Sequence, residues 1–164
     1  MHSTMRWMLA LVGLAALPAL LALAGPGCGV APALSTVGGG SAGFFGAPRL
    51  AGLGLPELST PGSFAFRITG GVPHAPGVLI LARREQPLFS AAFQTTIYSG
   101  SSGVSLPFVL DSAGAVVLAP GPTSHPLSEL CGLDLIAQAV VFDFTAPGGG
   151  AWTNGLRFRF GTTP

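Results

Sequence analysis

LDLIAQAVVFDF, residues 133–144, is the longest ordered-looking segment after the N-terminal leader, and its reading decides the fold class. Leu133, Ile136, Val140 and Phe144 fall at helical spacing. Against a helix stand the β-branched and aromatic C-terminal half and the Pro147-Gly148-Gly149-Gly150 stop, which favour a central strand. A strand here makes the chain all-β; a helix would make it α+β. Asp134 and Asp143 then mark the two ends of a buried strand, where charge stays wet. They fall on opposite faces and form no acid/base pair. Gln138 sits between apolar neighbours, and a buried amide must be paired, so it is expected to bond neighbouring backbone.

Downstream, Asn154-Gly155 is a hairpin signal, and Leu156, Phe158 and Phe160 then alternate with Arg157 and Arg159. Upstream, a turn at 58–62 leads into Ser63 to Thr69, where Phe64, Phe66 and Ile68 alternate with Ala65 and Arg67. Both stretches read as strands with one oily and one wet face. Gly77 to Ala82 (GVLILA) is continuously apolar and fits a strand covered on both faces. Residues 83–87 are the most polar segment and read as a solvent loop. Phe93 to Tyr98, Val104 to Leu110 and Ala115 to Leu118 are further strands, the last two joined by the type I turn Asp111-Ser112-Ala113-Gly114 in a tight hairpin. Seven or eight short strands predict an antiparallel two-sheet β-sandwich, with a closed β-barrel as second choice. Phe64, Phe66, Ile68, Leu156, Phe158 and Phe160 should share one core, with Arg67, Arg157 and Arg159 in water, because a one-residue slip exchanges the two sets.

Composition agrees. Beyond residue 24 the chain holds 24 Gly and 14 Pro, which long helices would not tolerate. Charged residues make up 8% of the chain, against about 25% in an average soluble domain. After the leader, six Arg balance six acids, and there is no Lys. That balance removes the footprint of a nucleic-acid binder or a polybasic membrane-surface protein. Low charge with high hydrophobicity also excludes a disordered chain.

Residues 1–24 read as a signal peptide: one positive charge at Arg6, an uncharged run from Trp7 to Ala24, and Ala22-Leu23-Ala24 before a cut at Gly25. No membrane span remains after cleavage. A retained anchor is the rival reading, and lipidation of Cys28 is a third, although Gly25 and Pro26 match a lipobox poorly. Cys28 and Cys131 are the only cysteines, and an even count in an oxidising compartment makes them a disulfide candidate. Residues 25–48, with eight glycines and no charge, read as a lead-in or linker on which Phe44-Phe45 docks back onto the domain. The β-sandwich domain is placed at 49–164.

Little suggests chemistry. Gly39-Gly40-Ser41-Ala42-Gly43 matches the G-x-S-x-G nucleophile elbow, but neither a strand precedes it nor a helix follows. His74 and His125 sit beside prolines in loops without metal-ligand spacing, and the Gly triplets at 38–40 and 148–150 lack the ending of a phosphate loop. Trp152 is read as a cap on the sandwich rather than a sugar platform. No catalytic residue, metal site or cofactor is expected.

From Leu106-Pro107 onward, Asp111-Ser112-Ala113-Gly114, Leu130-Cys131-Gly132, Gln138-Ala139, Asp143 and Thr153-Asn154-Gly155-Leu156 follow one another in order. This run resembles a family of small exported β-rich domains of unknown function from large-genome environmental bacteria. Pro61-Gly62-Ser63-Phe64 and Leu79 to Ala82 resemble it more loosely. Thr153 replaces the usual Ser, and Cys131 is inserted before the Gly. The resemblance implies a β fold and export, and no activity. The expected function is a secreted or cell-envelope binding module that engages an envelope or extracellular partner, a second copy included. The alternative is a secreted hydrolase using Ser41 or a histidine.

Overall fold

Within residues 133–144, Asp134–Phe142 settles as a strand, and both of its faces are covered from Ile136 to Val141. The computed structural model describes residues 28–60, 62–83, 85–99, 103–119 and 127–163. The leader and its cut site, Pro61 of the 58–62 turn, Arg84 and His125 lie outside the described residues. In chain order the strands are β1 (Ala33–Val37), β2 (Arg49–Leu53), β3 (Ala65–Thr69), β4 (Pro76–Ala82), β5 (Glu85–Ser90), β6 (Thr95–Ser99), β7 (Val104–Val109), β8 (Val116–Leu118), β9 (Asp134–Phe142), β10 (Gly150–Trp152) and β11 (Gly155–Arg159). The described strands pair antiparallel. The fold is all-β and sandwich-like, and its sheets do not close into a barrel.

The main sheet has the order β1-β11-β9-β4-β7, with β10 also on β9. Odd-numbered residues of β9 (Ala137, Ala139, Val141) enter the core with Leu79 of β4 and Leu156 and Phe158 of β11. Against them lies a three-stranded sheet, β2-β3-β8, contributing Leu50, Phe66 and Ile68. Phe158 is the hub: its ring centroid lies 5.5 Å from Phe64, 5.3 Å from Phe66 and 5.7 Å from the partly buried Phe160. Arg67 and Arg157 point to water, as the period of two requires, and Arg159 is partly exposed. Each fully buried Phe or Leu is worth about 1.5–3 kcal/mol, so this face dominates stability.

The even-numbered residues of β9 take the opposite face, which the β5–β6 hairpin covers. Gln138, fully buried, joins the layers. Its Oε1 accepts from the Tyr98 amide at 2.8 Å, and its Nε2 donates to the carbonyls of Thr96 at 3.1 Å and Thr153 at 3.0 Å. A polar side chain here replaces a ladder of backbone bonds between the two sheets.

Four local expectations are corrected. Asp111–Gly114 does form a turn, with the Asp111 carboxylate accepting from the amides of Ala113 and Ala115 and Gly114 at φ +67°. It makes no hairpin, because β7 pairs with β4 in one sheet and β8 with β3 in the other; the turn carries the chain across the sandwich. Asn154-Gly155 is a bulge rather than a hairpin. Trp152 pairs with Val140 and Leu156 with Ala137, so four steps on one strand match three on the other. Across it, Thr153 Oγ1 accepts the Ala139 amide at 2.9 Å, which leaves the Thr153 carbonyl for Gln138. Residues 33–37, inside the stretch read as a linker, are edge strand β1 on β11, with Leu34 against the core. Glu85 to Pro87, read as loop, open β5. Eleven strands among the described residues thus replace the expected seven or eight.

Candidate functional site

The chemistry-bearing residues are dispersed, and most serve the fold. Ser41 is 6% exposed; its amide donates to the Trp152 carbonyl and its Oγ accepts from the Trp152 amide, both at 3.0 Å. The G-x-S-x-G tract therefore continues the sheet along the free edge of β10. Its glycines have a steric reason: a Cβ at Gly40 would strike the Trp152 carbonyl, and one at Gly43 the Asp143 carboxylate. His74 is exposed in the β3–β4 connection at φ +59°, with its amide on the Asp111 carbonyl. Among the described residues no three His, Cys, Asp or Glu gather to hold a metal ion.

Cys28 and Cys131 are disulfide-bonded with Cα atoms 5.7 Å apart, joining the start of the described chain to the segment before β9. Trp152 is buried against Phe93, ring centroids 5.4 Å apart, and its Nε1 has no partner among the described residues. Asp134 is exposed and holds Arg159 through both oxygens, at 2.9 and 2.8 Å. That contact keeps its carboxyl below the ordinary range.

Asp143 is the exception to the expectation that both aspartates stay wet. It is 5% exposed. One oxygen accepts from the Thr145 amide at 2.9 Å and the Thr145 hydroxyl at 2.6 Å, and the other from the Phe44 amide at 2.8 Å. Burial pushes its carboxyl up, but bonds from Thr145, Phe44 and Ala146 outweigh that and hold it below the usual carboxylate range. A buried charge that accepts several N–H and O–H donors fixes everything it touches.

What it fixes is an aromatic surface. The β1–β2 loop, closed on itself by reciprocal bonds between Gly43 and Gly46, is tied through Phe44 to the 143–149 loop between β9 and β10. Phe44, Phe45 and Phe144 project from these two loops at 74%, 56% and 98% exposure, and Phe142 at the end of β9 is half exposed. Phe44 and Phe45 pack edge to face at 5.1 Å. The pair does not dock back on the domain as its composition suggested. Asp143 is the one charged residue in 38–48 and 143–155, and it is buried. A surface of exposed rings on braced loops can bind apolar or π-rich groups, and ring faces also attract cations.

The architecture is that of a disulfide-bonded antiparallel β-sandwich with one aromatic loop end. No protein-family model, curated protein or solved structure matches the chain. No helix among the described residues is long and apolar enough to cross a membrane.

Proposed function

We propose that this chain is an exported, non-catalytic binding module of the cell envelope or extracellular space, and that it engages its partner with the aromatic end. The observation that carries the reading is the bracing of Phe44 and Phe144 by buried Asp143. Exposing three phenylalanines costs solubility, and holding their loops on a buried charge gives that cost a use. Export rests on the leader at 1–24 and is supported by a disulfide, which persists in oxidising compartments. A Cys28 sulfur engaged with Cys131 also leaves no thiolate for a lipid. The hydrolase alternative would use Ser41 or a histidine; the Ser41 oxygen accepts the Trp152 amide, and His74 is exposed in a loop.

The test is a binding screen of glycans and envelope components, run on the wild type and on Phe44→Ser with Phe144→Ser. The expected result is a ligand lost by the double variant with the melting temperature unchanged, since both rings are exposed. A ligand retained by the variant would place the site elsewhere, and substrate turnover abolished by Ser41→Ala would install the hydrolase.

A further inference from the structure

The sandwich has two unlike ends. Both ends of the described chain meet at one of them: Cys28 is bonded to Cys131, and the Thr162 amide donates to the Val30 carbonyl at 2.9 Å. From there β1 runs along β11, and the chain reaches the opposite end at Gly43, where a Cβ would meet Asp143 and Ala151. The end free of both termini is therefore the one that carries Phe44, Phe45 and Phe144. Three features restrict what can cover these rings. Phe144 is 98% exposed, so the protein lies against almost none of it, and only an occupant that surrounds the ring can desolvate it. Phe44 and Phe45 stand 75° apart, which offers no flat platform to a sugar ring. The hydroxyls of the two loops are already committed: Ser41 accepts the Trp152 amide, and Thr145 donates to Asp143.

We infer that the aromatic end docks on a lipid surface, with Phe44, Phe45 and Phe144 inserted to the boundary between headgroups and acyl chains; resting on the reading of that end as the binding surface, this names its partner. Acyl chains close around a projecting ring and ask for no hydrogen-bond match, and these loops offer apolar surface without free hydroxyls. A second copy is the other apolar occupant. At roughly 200 Å² per phenylalanine the three rings expose about 450 Å². A stable protein complex buries roughly 800 Å² per partner, so the patch is undersized for a dimer. Asp143 holds both loops in place beforehand, so the rings enter lipid at little ordering cost. Charge has a minor part. The pairing of Gly77 with Val141 and of Arg49 with Thr69 brings the β3–β4 connection and the start of β2 to the same end. Arg49, His74 and Asp111 are exposed there, with the His74 amide on the Asp111 carbonyl. Arg49 and Asp111 offset each other, so apolar surface rather than headgroup charge drives docking.

The experiment mixes the mature chain, starting at Gly25 so that the apolar leader takes no part, with phosphatidylcholine vesicles. Co-sedimentation reports affinity, and a nitroxide-labelled phosphatidylcholine reports by amide NMR which residues meet the lipid. The expected result is saturable binding, with broadening first at residues 43–46 and 144–146. Adding anionic phosphatidylglycerol should change the affinity by less than about fivefold, the effect of a single charge. Phe44→Ser with Phe144→Ser should weaken binding by at least about tenfold. Leu55→Ser removes an exposed apolar side chain at the opposite end and should leave binding unchanged. A wild type that ignores vesicles, while a glycan or protein ligand is still lost by the double variant, would overturn the lipid assignment and leave the aromatic end as the binding surface. Vesicle binding that survives the double variant, or broadening centred elsewhere, would remove lipid as the partner of this end. A dimer that the double variant dissolves would put a second copy in place of the bilayer.

Discussion

The two faces of β9 are built on different principles. Its odd residues meet a dry layer of phenylalanine and leucine in which position is set by alternation and volume. Its even residues meet a hairpin held by the amide of one glutamine. The inner face tolerates no slip, because a slip would bury Arg67 and Arg157. The outer face buries Ile136 and Val140 beside Gln138 and leaves an open slot next to them. The aromatic core therefore lies on one side of the sheet, and the open slot on the other.

The largest expected effect tests the inner side. Phe158→Ala removes the ring shared by Phe64, Phe66 and Phe160 and should cost about 3–5 kcal/mol in denaturant unfolding. A loss under about 1 kcal/mol would mean that the core closes around the hole and that the contrast between faces is false. On the outer side, Gln138→Leu keeps the volume but strands the Tyr98 amide and the carbonyls of Thr96 and Thr153. It should cost about 2–3 kcal/mol. The readout specific to the strap is hydrogen exchange: the Tyr98 amide should lose its protection while amides of the β11–β9 ladder keep theirs. Equal loss at both places would show that the hairpin is part of the core rather than strapped to it.

Asp143 carries the strap principle to the aromatic end. Asp143→Asn keeps the shape, loses the charge that strengthens three hydrogen bonds, and should cost about 1–2 kcal/mol at pH 7. Because the folded carboxyl titrates below its unfolded value, its contribution is complete above the unfolded pKa of about 4 and is lost as the pH falls through the lower folded value. Stability of the wild type should therefore drop below about pH 4, and the drop should be shallower in the variant. Asp134 and Glu57, also lowered, keep it from vanishing. Identical acid limbs would remove Asp143 as the brace.

The same contrast decides what was legible in the residues. Alternation exposed most of the inner face: Phe64, Phe66, Ile68, Leu156 and Phe158 are buried together, with Phe160 only partly buried against them. The pairing of Gln138 with backbone was legible because a buried amide has no other solution, whereas the run in β4, read as covered on both faces, is fully buried only on the side of Leu79, with Val78 and Ile80 partly exposed on the other. What alternation does not encode is which strand a turn delivers its chain to. Asp111–Gly114 and Asn154-Gly155 have the local chemistry of turns, yet one crosses between sheets and the other bulges within a strand. The glycines of 38–43 read as a linker because close approach to Trp152 and Asp143 demands the same residue that flexibility does. Phe44 and Phe45 were visible as aromatics in a loop. That they stay outside follows from the Phe44 amide bond to a carboxylate 99 residues away, which no local pattern announces.

The smallest expected effect lies on the wet side of β11, where charge contributes least. Arg157 pairs with Glu85 and Arg159 with Asp134, and the neighbouring partners sit on exposed faces of different sheets and strands. Both contacts favour the charged forms. Solvent screening and the entropy of fixing two long side chains cancel most of that attraction, so Arg159→Ala should change stability by no more than about 0.5 kcal/mol. Arg157→Ala should match it in stability but differ in one respect. Its partner Glu85 opens β5, so losing the pair frees one end of the hairpin beside the slot. Exchange of the β5 and β6 amides should therefore quicken in Arg157→Ala and stay unchanged in Arg159→Ala. If neither variant alters that exchange, the Gln138 amide alone determines how the hairpin sits, and the ion pair is surface ornament. If Arg159→Ala costs more than about 1 kcal/mol, charge on this face contributes as a packed side chain does, and the division between a dry structural face and an adaptable one does not hold for β11.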